Sequence, residues 1–490
     1  MSLAQMDVKK LRICWGVRRG RRLICNEPLT DEAVIKEVKE LIEEFRSRFD
    51  KHRSKLEAGV FIDELINLLA HWLKEHRDDK NKKVKEARKI VKKMTEMFEA
   101  LRKRWVETYW RQLMELMNPL ETVDIIVTGE NNGNKSLVVH LRNGDVASEI
   151  ERIATSDGVT ISLTLKGLKG GYVKVANTFS DEEVLNLVQH GWEMTDGGIE
   201  YGHPAMGTNQ PWQVVLWALS YPGKVYMHIN GININEEGIS IKWHLIANDH
   251  RAKSRREIVE EVKRLSIEGL KAFLASVIWG DGYVNVGGKY VRLVMGLSKY
   301  ERYWLGIIKR MIDELGFIGP YMNEYRVEVE VRISKAIKLA RAWLEIPDIR
   351  ELVELGAGLP DGEKLKRIIE LANMEVREIG KSSINVPGTD VKMNIRIRSD
   401  YKVELRAWRR DRSKALRLIE ELRNAGYNPI MYVDSEGYTI SITHSKVKSD
   451  ERLKKTVCEL LYRWLNETSN EKRRVRIVAA MRNLECLNDT

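Results

Sequence analysis

Hydrophobic and polar positions fall into three kinds of pattern along the chain. Between Thr30 and Pro119 apolar residues recur at helical spacing, as at Val91, Met94, Met97, Phe98 and Leu101. Thr30-Asp31-Glu32 has the composition of a helix start, because acids are favoured in the first turn. Leu65, Ile66, Leu68, Leu69 and Trp72 make a largely apolar helical segment, and Pro119 is expected to stop the last helix. Such a stripe reads as core or as a helix–helix seam. From Asp124 the spacing becomes that of strands. Asp124–Thr128 and Ser136–Leu141 flank an Asn131–Asn134 turn, and Val159–Leu165 alternates cleanly. Lys224–Asn230 and Gly238–Leu245 flank the turn-rich Asn233–Glu237, and Pro211–Pro222 is notably apolar.

Beyond residue 250 the two patterns alternate. Arg256–Ile278 suits one helix, and Tyr283–Val286 and Tyr290–Met295 suit a hairpin around Gly287-Gly288. Trp304, Leu305, Ile308, Met311, Ile312 and Leu315 line a helix that Gly316 ends. In the next strand Val327, Val329, Val331 and Ile333 are expected inward, and Arg326, Glu328, Glu330 and Arg332 outward. Lys335–Leu344 closes this run. A weaker run of the same order is expected over 363–466: helix Glu363–Met374, strands Lys392–Arg398 and Tyr401–Trp408, helix Lys414–Ala425, strands Ile430–Val433 and Tyr438–Thr443, helix Arg452–Leu465. The fold class is α+β. The chain divides into five regions: a basic leader (1–29), a helical region (30–119), a β-rich domain of unknown role (120–250), one repeat (251–362), and a degenerate second repeat with a basic tail (363–490).

Composition narrows the classes. Charged residues make up 31%, and no stretch approaches the roughly 18 apolar residues of a spanning helix. Met1–Asp7 lacks an apolar core, so no secretory leader is expected. The four cysteines Cys14, Cys25, Cys458 and Cys486 form no C-x-x-C pair, which gives no indication of zinc. So low a count fits a reducing cytoplasm, with a Cys14–Cys25 bridge left open. His190, His203, His228 and His244 lack metal-like spacing and read as structural. The net charge of +11 attracts polyanions by counterion release, but over 490 residues it favours nucleic acid only modestly. Lys9, Lys10, Arg12, Arg18, Arg19, Arg21 and Arg22 of the leader read as a solvated end.

The segment richest in chemistry is Leu274-Ala275-Ser276-Val277-Ile278-Trp279-Gly280-Asp281-Gly282. Ala272, Ser276 and Gly280 stand four apart, on one helical face, where small residues let two helices approach closely. Gly280 and Gly282 let the chain leave the helix. Asp281 sits at the tail, where the helix dipole disfavours a carboxylate and a cation would offset the penalty. The nonapeptide resembles the LAGLIDADG signature of homing endonucleases: Leu274, Ala275, Ile278, Asp281 and Gly282 are identical, and Trp279 departs where the family carries a polar or acidic residue. The resemblance implies an αββαββα pseudo-repeat with saddle-shaped antiparallel sheets over DNA. Two motif helices would cross, each bringing one acid to divalent metal. By it Asp281 would be catalytic, Asp281 and Gly280 would hold Mg²⁺ if the chain cuts, and Ala272, Ser276 and Gly280 would form the helix interface. The bland alternative is a buried helix before an ordinary Asp-Gly turn.

In the weaker run Arg396, Arg398, Lys402, Arg406, Trp408, Arg409 and Arg410 give one strand face a basic and aromatic character suited to nucleic acid, though Glu404 and Asp411 dilute it. A solvated sheet face is the competing reading. Arg292 and Arg326 are the corresponding candidates in the first run. No Asp-Gly follows Glu363–Met374, and Pro360 makes Gly356–Gly362 a loop. With one acid, the chain would need a homodimer or an intramolecular pseudo-dimer to cut. Residues 120–250, on Pro211–Gly223 and Gly231–Trp243, also resemble a crenarchaeal paralogous repeat family of the PaREP type, which implies an association with mobile elements. The expectation is a cytoplasmic protein descended from a LAGLIDADG homing endonuclease, with double-stranded DNA as partner and no membrane. An active Mg²⁺-dependent endonuclease working through Asp281 is the alternative. A structural or assembly protein built on the N-terminal helices is the third reading.

Overall fold

A computed structural model describes residues 13–19, 22–117, 124–131, 134–152, 158–296, 304–322, 326–376, 382–433, 437–468 and 470–486. They form two compact units, Met1–Glu375 and Val376–Thr490. The fold is α+β with antiparallel sheets predominating. Among the described residues no helix is long and apolar enough to cross a membrane.

Part of the basic leader is built into a sheet. Strands β1 (Ile13–Arg19) and β2 (Arg22–Pro28) pair antiparallel, and β1 lies parallel to β3 (Asp124–Asn131). Lys9, Lys10, Arg12 and Arg21 lie outside the described residues, as do Pro119 and the middle of the Asn131–Asn134 turn. The low cysteine count points to a reducing compartment, yet Cys14 is bridged to Cys25 and Cys458 to Cys486, and no cysteine is free.

Helices α1 (Glu32–Glu57), α2 (Val60–Glu75), α3 (Lys82–Arg104) and α4 (Trp110–Met117) fill the helical stretch. Asp31 caps α1 by accepting from the Ala33 N–H at 2.9 Å. The α3 stripe is core: Val91, Met94, Phe98 and Leu101 are buried, and Phe98 meets Trp243 edge-on.

A long sheet then forms from β4 (Asn134–Asn143), β5 (Val146–Arg152), β6 (Val159–Leu165) and β7 (Gly171–Val175), and it continues without a break into the strands between residues 197 and 247. The next elements are α5 (Glu182–Met194), β8 (Gly197–Glu200), β9 (His203–Thr208), α6 (Pro211–Ser220), β10 (Gly223–Ile234), β11 (Ile239–Ala247) and α7 (Arg255–Val262). The order then repeats as α8 (Ile267–Asp281), β12 (Gly282–Asn285), β13 (Tyr290–Gly296), α9 (Trp304–Leu315), β14 (Ile318–Met322), β15 (Arg326–Arg332) and α10 (Ile333–Glu345). In both runs the four strands lie first-second-fourth-third across the sheet. Thus the run paired with the motif lies upstream of it, over 182–262, and the second half of the supposed separate β-rich domain belongs to it.

Two local expectations change. Arg256–Ile278 is not one helix, because the Ser266 hydroxyl accepts from the Gly269 N–H at 3.0 Å and starts α8 afresh. In β15 Glu330 is 1% exposed rather than outward, and Ile333, which opens α10 instead of ending the strand, has φ of 53° and is 57% exposed rather than inward. Arg292 and Arg332 cover Glu330, which explains the first reversal. Helices α11 (Pro347–Ala357) and α12 (Glu363–Asn373) complete the first unit, so α12 does not open the second. Of the expected loop Gly356–Gly362, Gly356 and Ala357 close α11, and residues 358–362, with Pro360, form the non-helical turn to α12.

The second unit holds β16 (Ser383–Asn385), β17 (Lys392–Ile397), β18 (Val403–Arg409), α13 (Arg412–Asn424), β19 (Ile430–Val433), β20 (Tyr438–Ile442), α14 (His444–Ser449), α15 (Glu451–Glu467) and α16 (Glu471–Asn483). The four strands β17 to β20 show the first-second-fourth-third order a third time. Met393, Val403, Leu405, Ile440 and Ile442 pack with Leu422, Val457 and Leu461 in its own core.

In the first unit α5 and α8 cross closely. Helix α8 is buried from Ala272 to Trp279, as befits a helix apolar on every side. A Cβ on Gly191 of α5 would lie 1.9 Å from the Ser276 hydroxyl oxygen and 2.8 Å from the Phe273 carbonyl. A Cβ on Gly280 would lie 2.3 Å from the Thr195 hydroxyl. A glycine replaced by alanine inside an open helix gains about 0.5–1 kcal/mol. Here Gly191→Ala should instead lose about 1–3 kcal/mol through overpacking. Chemical denaturation reads the sign, and a more stable variant would refute the crossing.

Candidate functional site

Both helices of the crossing hand over to a strand through Asp-Gly. Asp196-Gly197 follows Thr195 at the end of α5, and Asp281 closes α8 ahead of Gly282. Gly191 stands five residues before Asp196, and Ser276 five before Asp281. Asp196 Oδ2 lies 3.4 Å from where a Gly280 Cβ would stand, so both acids hang from the same end of the helix pair. The partner helix for the Ser276 face is therefore in the same chain. Ser276 and Gly280 meet α5 and its tail, and Ala272 is buried. Trp279 does not hold the helices apart. It is fully buried and stacks at a tilt on Trp192 of α5, with ring centroids 5.9 Å apart.

Two further side chains reach this end. Gln213 of α6 donates from Nε2 to Asp196 Oδ2 at 2.8 Å and to the Trp279 carbonyl at 3.3 Å, while its Oε1 accepts from the Thr208 hydroxyl. Lys364, in the first turn of α12, donates from Nζ to the carbonyls of Trp279 and Gly280, each at 2.8 Å, and of Ile278 at 3.4 Å. Three ammonium protons thus find three acceptors on the last turn of α8, whose carbonyls a helix otherwise leaves unpaired. Burial lowers the Lys364 pKa to about 8, against the pull of Asp196 and Asp281. The side chain still carries its proton at neutral pH. Burial raises Asp196, with Gln213 and Lys364 opposing. A polar cavity of about 430 Å³ opens alongside, lined by Asp196, Gly280, Gln213, Asn230, Lys242 and His244.

The Mg²⁺ implied by the motif can be tested on these contacts. The Gly280 carbonyl already accepts from Lys364, and Asp196 already accepts from Gln213. A divalent ion placed among Asp281, Asp196 and Gly280 would meet an ammonium, so with Lys364 in place these residues do not fit a resident divalent ion. Among the described residues no group of three or more His, Cys, Asp or Glu side chains is arranged for a metal.

The basic candidates divide between the units. In the first, Arg292 is held by Glu328 at 3.0 Å and Glu330 at 3.1 Å, which neutralises that sheet face locally, and Arg326 stands exposed at the start of β15. In the second, register places Ser383, Asn394, Arg406, Ser441 and Ile430 in one cross-strand row. Trp408, Thr439 and Tyr432 make the next, and Trp408 and Tyr432 are both 49% exposed. Arg396 and Arg406 flank the buried Glu404 at 3.7 and 2.8 Å, while Arg398 and Lys402 share Asp400. Arg409 donates to the Trp408 carbonyl and Arg410 is exposed. The second unit holds 24 lysines and arginines against 16 acids, so most of the chain's surplus charge of +11 resides there.

Sequence reasoning missed Asp196, Gln213 and Lys364. For Asp196 a signal exists: an Asp-Gly behind a helical run, with a small residue five positions earlier. Gln213 and Lys364 have none. No protein-family model matches the chain, and no curated protein is significantly similar to it.

One titration around α5 can be checked. Burial pushes Glu193 up to about 7, although the Tyr221 hydroxyl and the Lys253 N–H, each at 3.2 Å, donate to it. A carboxyl raised from 4.5 stabilises the fold fully below that pH, and the contribution is lost as pH climbs through about 7. His190, lowered to about 4 by burial, works in the opposite sense: its contribution is present above 6.5 and lost as pH falls through about 4. Between about pH 5 and about pH 8 the melting temperature of the wild type should therefore fall more than that of Glu193→Gln. Parallel melting curves for the two would exclude the burial argument.

Proposed function

We propose that the protein binds double-stranded DNA on an architecture of the LAGLIDADG type and does not hydrolyse it. One observation carries the reading: two helices cross on small residues, each ends in Asp-Gly, and each leads into strands of the same first-second-fourth-third order. The motif at Leu274–Gly282 implies crossed helices of this kind, and α5 supports the reading as a partner helix in the same chain. DNA contact falls chiefly to the second unit. Its open sheet face combines Arg396, Arg406 and Lys392 with the exposed rings of Trp408 and Tyr432, a mixture that suits phosphate contact and groove reading. Lys364 favours binding over cleavage, because an ammonium holds the Gly280 carbonyl beside the acids. The assembly reading draws less support, since the α3 stripe is used in the chain's own core.

Titration of the full chain with a DNA duplex should give binding that weakens with salt. Arg396→Ala with Arg406→Ala should lower the slope of log K against log salt by about 2. Asp281→Ala should leave affinity in place, and duplex incubated with Mg²⁺ should stay intact. Absence of binding at low salt would end the nucleic-acid reading. Mg²⁺-dependent nicking that Asp281→Ala abolishes would restore the endonuclease.

A further inference from the structure

We propose that the first unit carries a small-molecule site between α2, α3 and β11 that takes a compact organic amine, its ammonium held by Asp361 at the mouth and its apolar body seated against Phe61, Phe98 and Trp243. The site uses no residue of α5 or α8 and does not rest on any nucleic acid.

A cavity of about 220 Å³ lies there. That is below the roughly 300–1,000 Å³ of sites for drug-sized ligands, which restricts the occupant to a single ring or a short chain. Phe61, Glu64, Leu65 and Leu68 of α2 line one side at the spacing of a single helical face. Ile241 and Trp243, alternate residues of β11, line the other from one face of the strand. Phe98 of α3 joins them, and Phe61, Phe98, Ile241 and Trp243 are all buried. The rings are fixed by one another: Phe98 meets Trp243 edge-on, and Phe61 meets Trp105 edge-on with centroids 5.1 Å apart. A floor held in this way does not collapse into the void, and an apolar body gains by leaving water to cover it.

Charge stands only on the rim. Lys55 and Glu64, both half-exposed, face each other at 3.5 Å. Asp361 has no hydrogen bond or ion pair to any described residue. Burial, and after it the neighbouring Glu363, push its pKa up, and no cation of the chain is set against them. Its backbone has φ of 62°, where glycine is the default and aspartate is among the few tolerated alternatives. The chain thus keeps an acid where the backbone favours glycine, and leaves that acid unpaired at the mouth of an apolar cavity. An ammonium is the group that complements it, with Glu64 adding to the field and Lys55 already committed to Glu64. A carboxylate on the same body would meet two acids and one neutralised lysine.

The probe is phenethylamine, titrated calorimetrically into the full chain without nucleic acid. The wild type should take up one equivalent with a Kd of about 1 mM or tighter, the ordinary range for so small a ligand. 3-Phenylpropionate, a similar body with the opposite charge, should bind weaker by about tenfold or more. Asp361→Asn, which tolerates the same backbone without the charge, should weaken phenethylamine about fivefold. Asp361→Gly should lose affinity equally without losing stability, an outcome that a merely structural aspartate would not give. Leu65→Trp, which fills the cavity, should abolish the uptake. No saturable uptake by the wild type, equal affinity for amine and carboxylate, or unchanged affinity in Asp361→Asn overturns the inference. Should Leu65→Trp unfold, the two Asp361 variants decide alone. DNA affinity does not enter these measurements, so the two proposals stand or fall separately.

Discussion

The approach of α5 to α8 is the constraint on which the site depends. Two helices can come this close only where a glycine on one faces a small side chain on the other, and Gly191 opposite Ser276, with Gly280 against Thr195, meets that condition. The consequence reaches beyond packing. Because each helix passes directly into a strand through Asp-Gly, fixing the helices fixes the starting points of β8 and β12 and the two acids at their roots. Flanking residues then complete the buried seam, with Trp192 packed at a tilt against Trp279. A bulky residue at position 191 or 280 would separate the carboxylates and the sheets together.

Legibility in the sequence followed how local each interaction is. Asp281 could be read because α8 is apolar throughout and its small residues recur at four-residue spacing. The equivalent acid on α5 was hidden, since α5 carries polar residues on its buried side. Gln189 donates to the Ser220 carbonyl at 2.7 Å, and Glu193 accepts from Tyr221. Those partners sit about thirty positions downstream, so the hydrophobic pattern looks broken although the helix is packed. For the same reason the hydrophobic pattern points to a second copy downstream. The strand–strand–helix–strand–strand order of 392–442 is real, and its element boundaries were largely legible, but the copy that supplies the partner helix precedes the motif. Lys364 could not have been found at all. Nothing in its neighbourhood distinguishes it from the lysines that cover helix surfaces elsewhere, and its acceptors are backbone atoms of another element.

Charge is divided between the two units in a way that fits their different contents. Several cations of the first unit are held internally: Arg292 on Glu328 and Glu330, Lys83 on Asp348 and Glu351, Lys364 on the tail of α8. Removing one partner from a buried pair leaves an uncompensated charge, so these groups serve structure and are poorly available to a polyanion. In the second unit the basic side chains stay largely at the surface, and Glu404 is flanked by two arginines rather than matched by one. Phosphate can compete for such groups.

Crossings of this kind use helices in pairs, which bears on the third strand set. The second unit repeats the strand order of the other two, yet its β17 is preceded by β16 and not by a helix ending in Asp-Gly. In the first unit α5 and α8 already bury each other's small faces. A third helix of that type would have no partner, and its exposed apolar side would be a liability. The open face of this third strand set instead sets two arginines, Arg396 and Arg406, against the single buried carboxylate of Glu404, so cationic charge is in excess there, whereas the cations beside α8 and β15 are matched by acids or carbonyls.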